Sequence, residues 1–243
     1  MISRLVRPRR TPANRPPQSR LRTIWSHGVR PLLVIILVIS TFRSAVADWN
    51  DVPSQSMEPT ILTGDRIIVN RLAYDLKVPF TRYSIAEWGA PERGDIIIFE
   101  APHNDVRMVK RVVGLPGDRI TLISNRLYVN GSPVGLELAP PSLVDTEELA
   151  DPLPHLYAEE TIGSDTHLVM FQPSRASRHT MAAIDVPEGQ FFVMGDNRDN
   201  SGDSRVFGLV PRDRIMGKVV GVAFSLDLNH GFAPRWDRFW SGL

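Results

Sequence analysis

Beyond residue 60 the apolar residues of this chain recur in short runs with a period of two, and no long stretch repeats at the helical period of 3.6. The runs lie at 66–69, 95–99, 106–113, 119–123, 126–129, 191–194 and 215–224. Turn residues separate them. Asn130-Gly131 is a hairpin signal, and Gly-Asp recurs at 64, 94, 117 and 195 beside the expected strands. Runs of this length joined by short turns are expected to pair as a mainly antiparallel β domain over 49–138 and 181–243. Residues 139–180 are richer in Pro, His, Ser and acid, alternate less clearly, and read as an inserted surface subdomain.

The amino terminus has a different character. Residues 1–30 carry eight Arg and no acid, although the whole chain has a net charge of only +1. Residues 1–29, rich in Arg and Pro, read as a disordered arm on the cytoplasmic side. The arm runs straight into the twelve-residue apolar stretch 31–42, which argues for a lipid bilayer as its partner and against nucleic acid. Twelve residues are short of the ~20 that span a bilayer. Snorkelling by Arg30 and Arg43, with Trp25 and Trp49 at the interfaces, extends the segment to a transmembrane helix over 30–48. A cleaved secretory signal is the competing reading, because Ser44-Ala45-Val46-Ala47 satisfies an A-x-A processing rule. Both readings put everything after Asp48 outside the cytoplasm. The chain has no cysteine, which excludes a thiol nucleophile, a Cys-ligated zinc and a disulfide framework.

Three segments carry candidate chemistry. Pro53-Ser54-Gln55-Ser56-Met57-Glu58-Pro59-Thr60 places two serines one residue apart, and an extended backbone between the prolines would point both the same way. A polar loop next to the membrane is the bland reading of the same residues. In 107–118, strand alternation puts Met108, Lys110 and Val112 on one face. A lysine on an apolar face loses hydration, its pKa falls, and its neutral amine becomes a general base for a serine hydroxyl. An edge-strand lysine that snorkels to water is the bland alternative. The run 195–205, Gly-Asp-Asn-Arg-Asp-Asn-Ser-Gly-Asp-Ser-Arg, has no apolar side chain and mixes two Arg with three Asp. It reads either as a hydrogen-bonded scaffold or as a solvated hairpin tip.

Together these segments resemble the boxes of bacterial type I signal peptidases, also called leader peptidases. The SQSMEPT, RGDIIIF, VKRVVGLPGD and GDNRDNSGDSR segments stand in the family's order. The resemblance implies an antiparallel coiled-sheet catalytic domain with an N-terminal transmembrane helix and a variable inserted subdomain. It implies Ser56 as nucleophile, Lys110 as general base and Ser54 as an oxyanion-hole donor alongside the Ser56 backbone N–H. Ser201 falls on a hydroxyl that orients the lysine, Asp203 and Arg205 on a supporting ion pair, and Met57 on a residue beside the substrate groove. The implied activity is removal of signal peptides from exported preproteins after small residues, through an acyl-enzyme, without metal or other cofactor. The implied setting is the bacterial inner membrane, with a single span and a monomeric catalytic domain on the extracytoplasmic side. Many Gram-negative members have two membrane helices, whereas this sequence shows one apolar segment.

Competing functions remain at this level. A Ser/Lys peptidase with a narrow substrate shares the dyad, and a catalytically inactive membrane module that only binds exported peptides would tolerate Ala at Ser56 and Lys110. The six histidines, at 27, 103, 155, 167, 179 and 230, lack zinc-ligand spacing. His103 is the nearest candidate for a Ser/His/Asp arrangement.

Overall fold

The computed structural model describes residues 25–45, 47–78, 81–144, 149, 154–228 and 231–243. The chain divides into two compact units, Met1–Thr41 and Phe42–Leu243. A π-helical turn, Trp25–Val29, leads into helix α1, Arg30–Ala45. Pro31 suits the first turn of a helix, where its missing N–H has no intrahelical partner to lose. Each side chain from Leu32 to Ile39 is at least half exposed, so apolar surface covers the helix on every side.

The span expected over 30–48 is shorter than expected. The helix ends at Ala45 after sixteen residues, roughly 24 Å at the helical rise. Asp48 lies in a strand instead of the helix. Among the described residues no helix is both long and apolar enough to cross a membrane.

The strands follow in chain order as β1 Ala47–Asp51, β2 Asp65–Asn70, β3 Asp75–Lys77, β4 Ser84–Glu87, β5 Ile96–Glu100 and β6 Arg107–Gly114. Then come β7 Arg119–Ile123, β8 Arg126–Val129, β9 Ser132–Pro133, β10 Gly135–Ala139, β11 Leu156–Ile162 and β12 Asp165–Phe171. The last are β13 Met181–Asp185, β14 Gln190–Met194, a four-residue helix α2 Ser204–Phe207, β15 Val210–Pro211, β16 Ile215–Asp227, β17 Ala233–Pro234 and β18 Ser241–Gly242. The main sheet has nine strands, ordered β1-β2-β16-β5-β6-β14-β15, with β17 and β18 also pairing with β16. Its pairings are antiparallel, and register shifts along β16 and between β6 and β14 bend it.

Strand β5 shows why this sheet is so apolar. Ile96 and Ile98 pack with Met57, Ile61, Ile67 and Val219 on one face, while Ile97 and Phe99 pack with Val112, Phe191 and Val193 on the other. A strand buried on both sides needs a continuous apolar run, and the sequence Ile-Ile-Ile-Phe supplies it. A second sheet, β13-β7-β8-β9, closes over Val113, Phe192 and Met194 through Ile120, Leu122 and Leu127.

The segment expected to lie at the surface contributes to the interior. Strands β10, β11 and β12 form a three-stranded sheet. From it Ile162 enters the cluster around Ile120, and Tyr157 and Met170 pack on Leu62. Met170 also bridges to Asn197, which ties this sheet to the polar run after β14.

Candidate active site

The candidate serine does not lie on extended chain. Ser54 is extended, but Gln55–Met57 turns as a 3₁₀ helix, closed by the Glu58 N–H donating to the Gln55 carbonyl at 3.1 Å. The two hydroxyls still converge, with Ser54 Oγ 3.3 Å from Ser56 Oγ. The polar run after β14 holds this turn. The Asn197 N–H donates to the Ser56 carbonyl at 3.2 Å, its Nδ2 donates to the Gln55 carbonyl at 3.2 Å, and Asn200 Nδ2 donates to Gln55 Oε1 at 2.7 Å.

Lys110 comes from the middle of β6, where it pairs with Ile97 of β5. Alternation puts it on the strand face of Met108 and Val112, both packed in the same apolar cluster. Its side chain does not snorkel, for the residue is only 3% exposed. Nζ donates to Ser56 Oγ at 2.6 Å and to the Val109 carbonyl at 2.8 Å. Burial pushes the Lys110 amine down to about 8 from an ordinary 10.5; the Asp203 and Asp196 charges oppose the shift and Arg205 adds to it. An amine with that value is substantially neutral slightly above neutral pH and can accept a hydroxyl proton.

Asp203 and Arg205 form a buried two-point ion pair, with Arg205 Nε and Nη2 each 2.8 Å from an Asp203 carboxylate oxygen. Asp203 also caps the first turn of α2 and accepts the Gly195 N–H at 3.0 Å. Burial raises the Asp203 pKa, but the Arg205 guanidinium, the Gly195 N–H and the Ser201 hydroxyl outweigh it and hold the carboxyl below its usual range. Ser201 Oγ is shielded from solvent and makes no hydrogen bond to Lys110. The expected orientation of the lysine by Ser201 is therefore not made by direct contact.

Met57 is buried in the apolar cluster under β2 and β5 and also forms a wall of a cleft of about 400 Å³. Val52, Ser54, Ser56, Ile98 and Lys110 share that cleft. A larger hollow, about 540 Å³, backs onto Ser201 and Arg205, but neither Ser56 nor Lys110 lines it. His103 stacks on Phe207, ring centroids 5.9 Å apart. His230 lies outside the described residues.

The sequence reading of the polar run, a scaffold or a hairpin tip, assigned no role to Asp196, Asn197 or Asn200. The structure shows Asn197 and Asn200 gripping Gln55, Arg111 donating to both oxygens of Asp196 at 2.9 and 2.8 Å, and Thr60 Oγ1 donating to Asp196 at 2.6 Å. The available signal was the pairing of Lys110 with Arg111. Adjacent strand residues face opposite sides, so one basic residue is directed to the serine and the next to the scaffold.

The family model for "Signal peptidase, peptidase S26" matches residues 25–224. A signal peptidase I of Pseudomonas fluorescens is 37% identical over 209 residues, covering 80% of this chain and 70% of the relative. One of Pseudomonas aeruginosa is 38% identical over 207 residues with the same coverage, and one of Aquifex aeolicus is 31% identical over 230 residues, covering 80% of this chain and 82% of its own. The match runs from before α1 into β16 and takes in the turn of Ser56, the strand of Lys110 and the polar run that braces them, so the chain belongs to the signal peptidase family, peptidase S26.

Proposed function

We propose that this protein is a membrane-anchored serine endopeptidase that removes N-terminal signal peptides from exported preproteins after small residues. Ser56 is the nucleophile and Lys110 its general base. The observation that carries this reading is the 2.6 Å contact between Lys110 Nζ and Ser56 Oγ, made by a buried amine whose pKa has been pushed down to about 8.

In the reaction, neutral Lys110 takes the Ser56 proton as Oγ attacks the carbonyl carbon on the amino side of the scissile bond. The Ser54 hydroxyl and the Ser56 N–H hold the oxyanion, a role in which losing one donor typically slows reaction about 100- to 1,000-fold. Protonated Lys110 passes its proton to the leaving amine. A water activated by the same lysine then hydrolyses the ester, releasing the signal peptide and restoring Ser56. Asp203 and Arg205 act behind the lysine, and Met57 shapes the cleft.

An anchor in the bacterial inner membrane, with the catalytic domain on the extracytoplasmic side, is part of the same proposal. Its support is the all-round apolar surface of α1 behind a cationic arm. Arg30 at its start would snorkel to bring a helix of roughly 24 Å toward the thickness of a bilayer.

The test is cleavage of a preprotein bearing an A-x-A site by full-length protein in detergent, compared with Ser56→Ala and Lys110→Ala. Wild type is expected to cut after the small residue, with both variants folded and inactive. Cleavage by Lys110→Ala at the wild-type rate would remove the general-base assignment.

A further inference from the structure

A further hollow, of about 320 Å³, adjoins the cleft of Ser56 and Lys110. Arg107 lines both, so it stands where the two meet. Arg71, Lys77, Arg82 and Arg214 bring four more cations to the hollow, against the carboxylates of Glu100 and Asp213.

The other cations already have anionic partners. Arg82 pairs with Glu100 and with Asp105 at 2.9 Å, and Arg214 pairs with Asp105 at 2.6 Å. Arg71 lies 3.8 Å from Asp48, and Lys77 lies 3.9 Å from Asp75. Arg107 differs from them. Among the described residues this exposed side chain has no carboxylate partner, and its Nη1 donates to the neutral Asn50 Oδ1 at 3.4 Å. The two carboxylates best placed to pair with it are engaged elsewhere. Glu100, opposite Arg107 in the pairing of β5 with β6, holds Arg82, and Asp51, in the cleft wall, holds Arg66. The charge of Arg107 is felt nearby: burial lowers the Arg71 pKa, Asp48 opposes the shift, and Arg107 adds to it. A guanidinium in this state is set to take a carboxylate from outside.

The place of Arg107 in β6 says where that carboxylate would come from. Arg107 precedes Lys110 by three residues on the same strand, about 10 Å. Strand β14 pairs with β6 from Arg111 onward, so among the described residues 107–110 keep an unpaired edge beside the cleft. An extended peptide that adds to such an edge sets its side chains at the strand spacing. With its scissile bond at Ser56 and Lys110, its residue about three positions along would reach Arg107. That register ties the site to a peptide and not to a lipid headgroup.

We propose that Arg107 is a specificity residue: it pairs with an Asp or Glu side chain of the substrate about three residues from the scissile bond, so preproteins acidic at that position are preferred. The inference rests on the peptidase reading above and adds a charge preference to it. The pair forms at the cleft rim, away from the reacting atoms, so it acts on KM and not on kcat.

The test uses full-length protein in neutral detergent and A-x-A preproteins that differ only in Asp, Asn or Lys at one position, moved along the residues on either side of the scissile bond. About three residues away, the Asp preprotein is expected to be cut with a kcat/KM about two- to fivefold above the Asn one, the size of an exposed ion pair, with the Lys one below both. The difference should lie in KM and fade in about 1 M salt, where the screening length is about 3 Å. Arg107→Glu is expected to reverse the order and Arg107→Gln to level it. Comparing preproteins within each variant removes any change in overall rate. If wild type cuts all of them alike, or the order survives Arg107→Glu, the inference is overturned and the peptidase reading stands. It is overturned also if the variants alter cleavage only in vesicles of anionic lipid, because the hollow would then serve headgroups. If nothing is cut, the peptidase reading fails and this inference with it.

Discussion

Gly195 lies so close to Ser56 that a Cβ on it would fall 2.3 Å from the Ser56 carbonyl oxygen and 2.3 Å from Ser201 Oγ. The polar run after β14 touches the Ser56 turn at this point, and only a residue without a side chain permits the approach. Gly195→Ala is therefore expected to displace the Ser56 turn while leaving the sheet intact. The kcat should fall about 100-fold, as for an ångström of misplacement at a reacting atom, with KM changed little. Steady-state kinetics beside a thermal melt would check it, and an unaltered kcat would show that the contact is slack.

The lysine sets two pH effects of the same sign. Its folded pKa, about 8, lies below the ordinary 10.5, so the folded protein favours the neutral amine. Activity that needs neutral Lys110 should rise as pH climbs through about 8, and kcat/KM should show that acidic limb. Stability follows the same sign. Between about 8 and 10.5 the unfolded chain binds the extra proton, so stability rises with pH across that window and is lowest below it. Lys110→Met should be inactive and yet more stable than wild type at pH 7, by at most about 3 kcal/mol. Denaturant melts at pH 7 and pH 10 would show the advantage shrinking at the higher pH.

Asp203 raises the Lys110 pKa through its charge and keeps Arg205 paired. Asp203→Asn removes the carboxylate and leaves the guanidinium, whose own effect on Lys110 is to lower it. The acidic limb of the pH–rate profile is expected to move to lower pH. Breaking the buried pair should also destabilise the fold by about 3–5 kcal/mol. A limb that stays in place would mean that Asp203 acts only on structure.

The legible parts of this fold were those in which strand alternation and burial agree. Strands β7 and β8 match the apolar runs 119–123 and 126–129 residue for residue, and β5 is read from its unbroken Ile-Ile-Ile-Phe. Strands β11 and β12 were obscure because their inward positions are not all apolar. Glu160 and His167 are buried there beside Ala158, Ile162 and Val169, so the period-two pattern is hidden by charge. At the candidate site, residue types and motif order singled out Ser56 and Lys110, which the structure brings together, but not the turn that carries Ser56. That turn depends on Asn197 and Asn200, more than 140 positions away in sequence, and no local pattern near Gln55 announces them.

The buried carboxylate that hid β11 makes a prediction of its own. Burial raises the Glu160 pKa, but Arg198 and His167 outweigh it and bring the carboxyl down to about 2 from an ordinary 4.5. Arg198 Nη1 donates to Glu160 Oε1 at 2.7 Å, and Nη2 donates to Oε2. A depressed folded pKa contributes stability that is complete above 4.5 and is lost as pH falls from 4.5 toward 2. Glu160→Gln should destabilise the protein at pH 7 by about 3–5 kcal/mol, because Arg198 is left buried without its partner. It should also flatten the acid-unfolding profile between 4.5 and 2. The loss should reach the Ser56 turn as well. The Arg198 N–H donates to the Met170 carbonyl, the Met170 N–H donates to the Asp196 carbonyl, and Asn197 between them grips Ser56 and Gln55. Loosening Arg198 is therefore expected to lower kcat under conditions where the variant is still folded, and kinetics at a temperature well below its melt would separate that effect from unfolding.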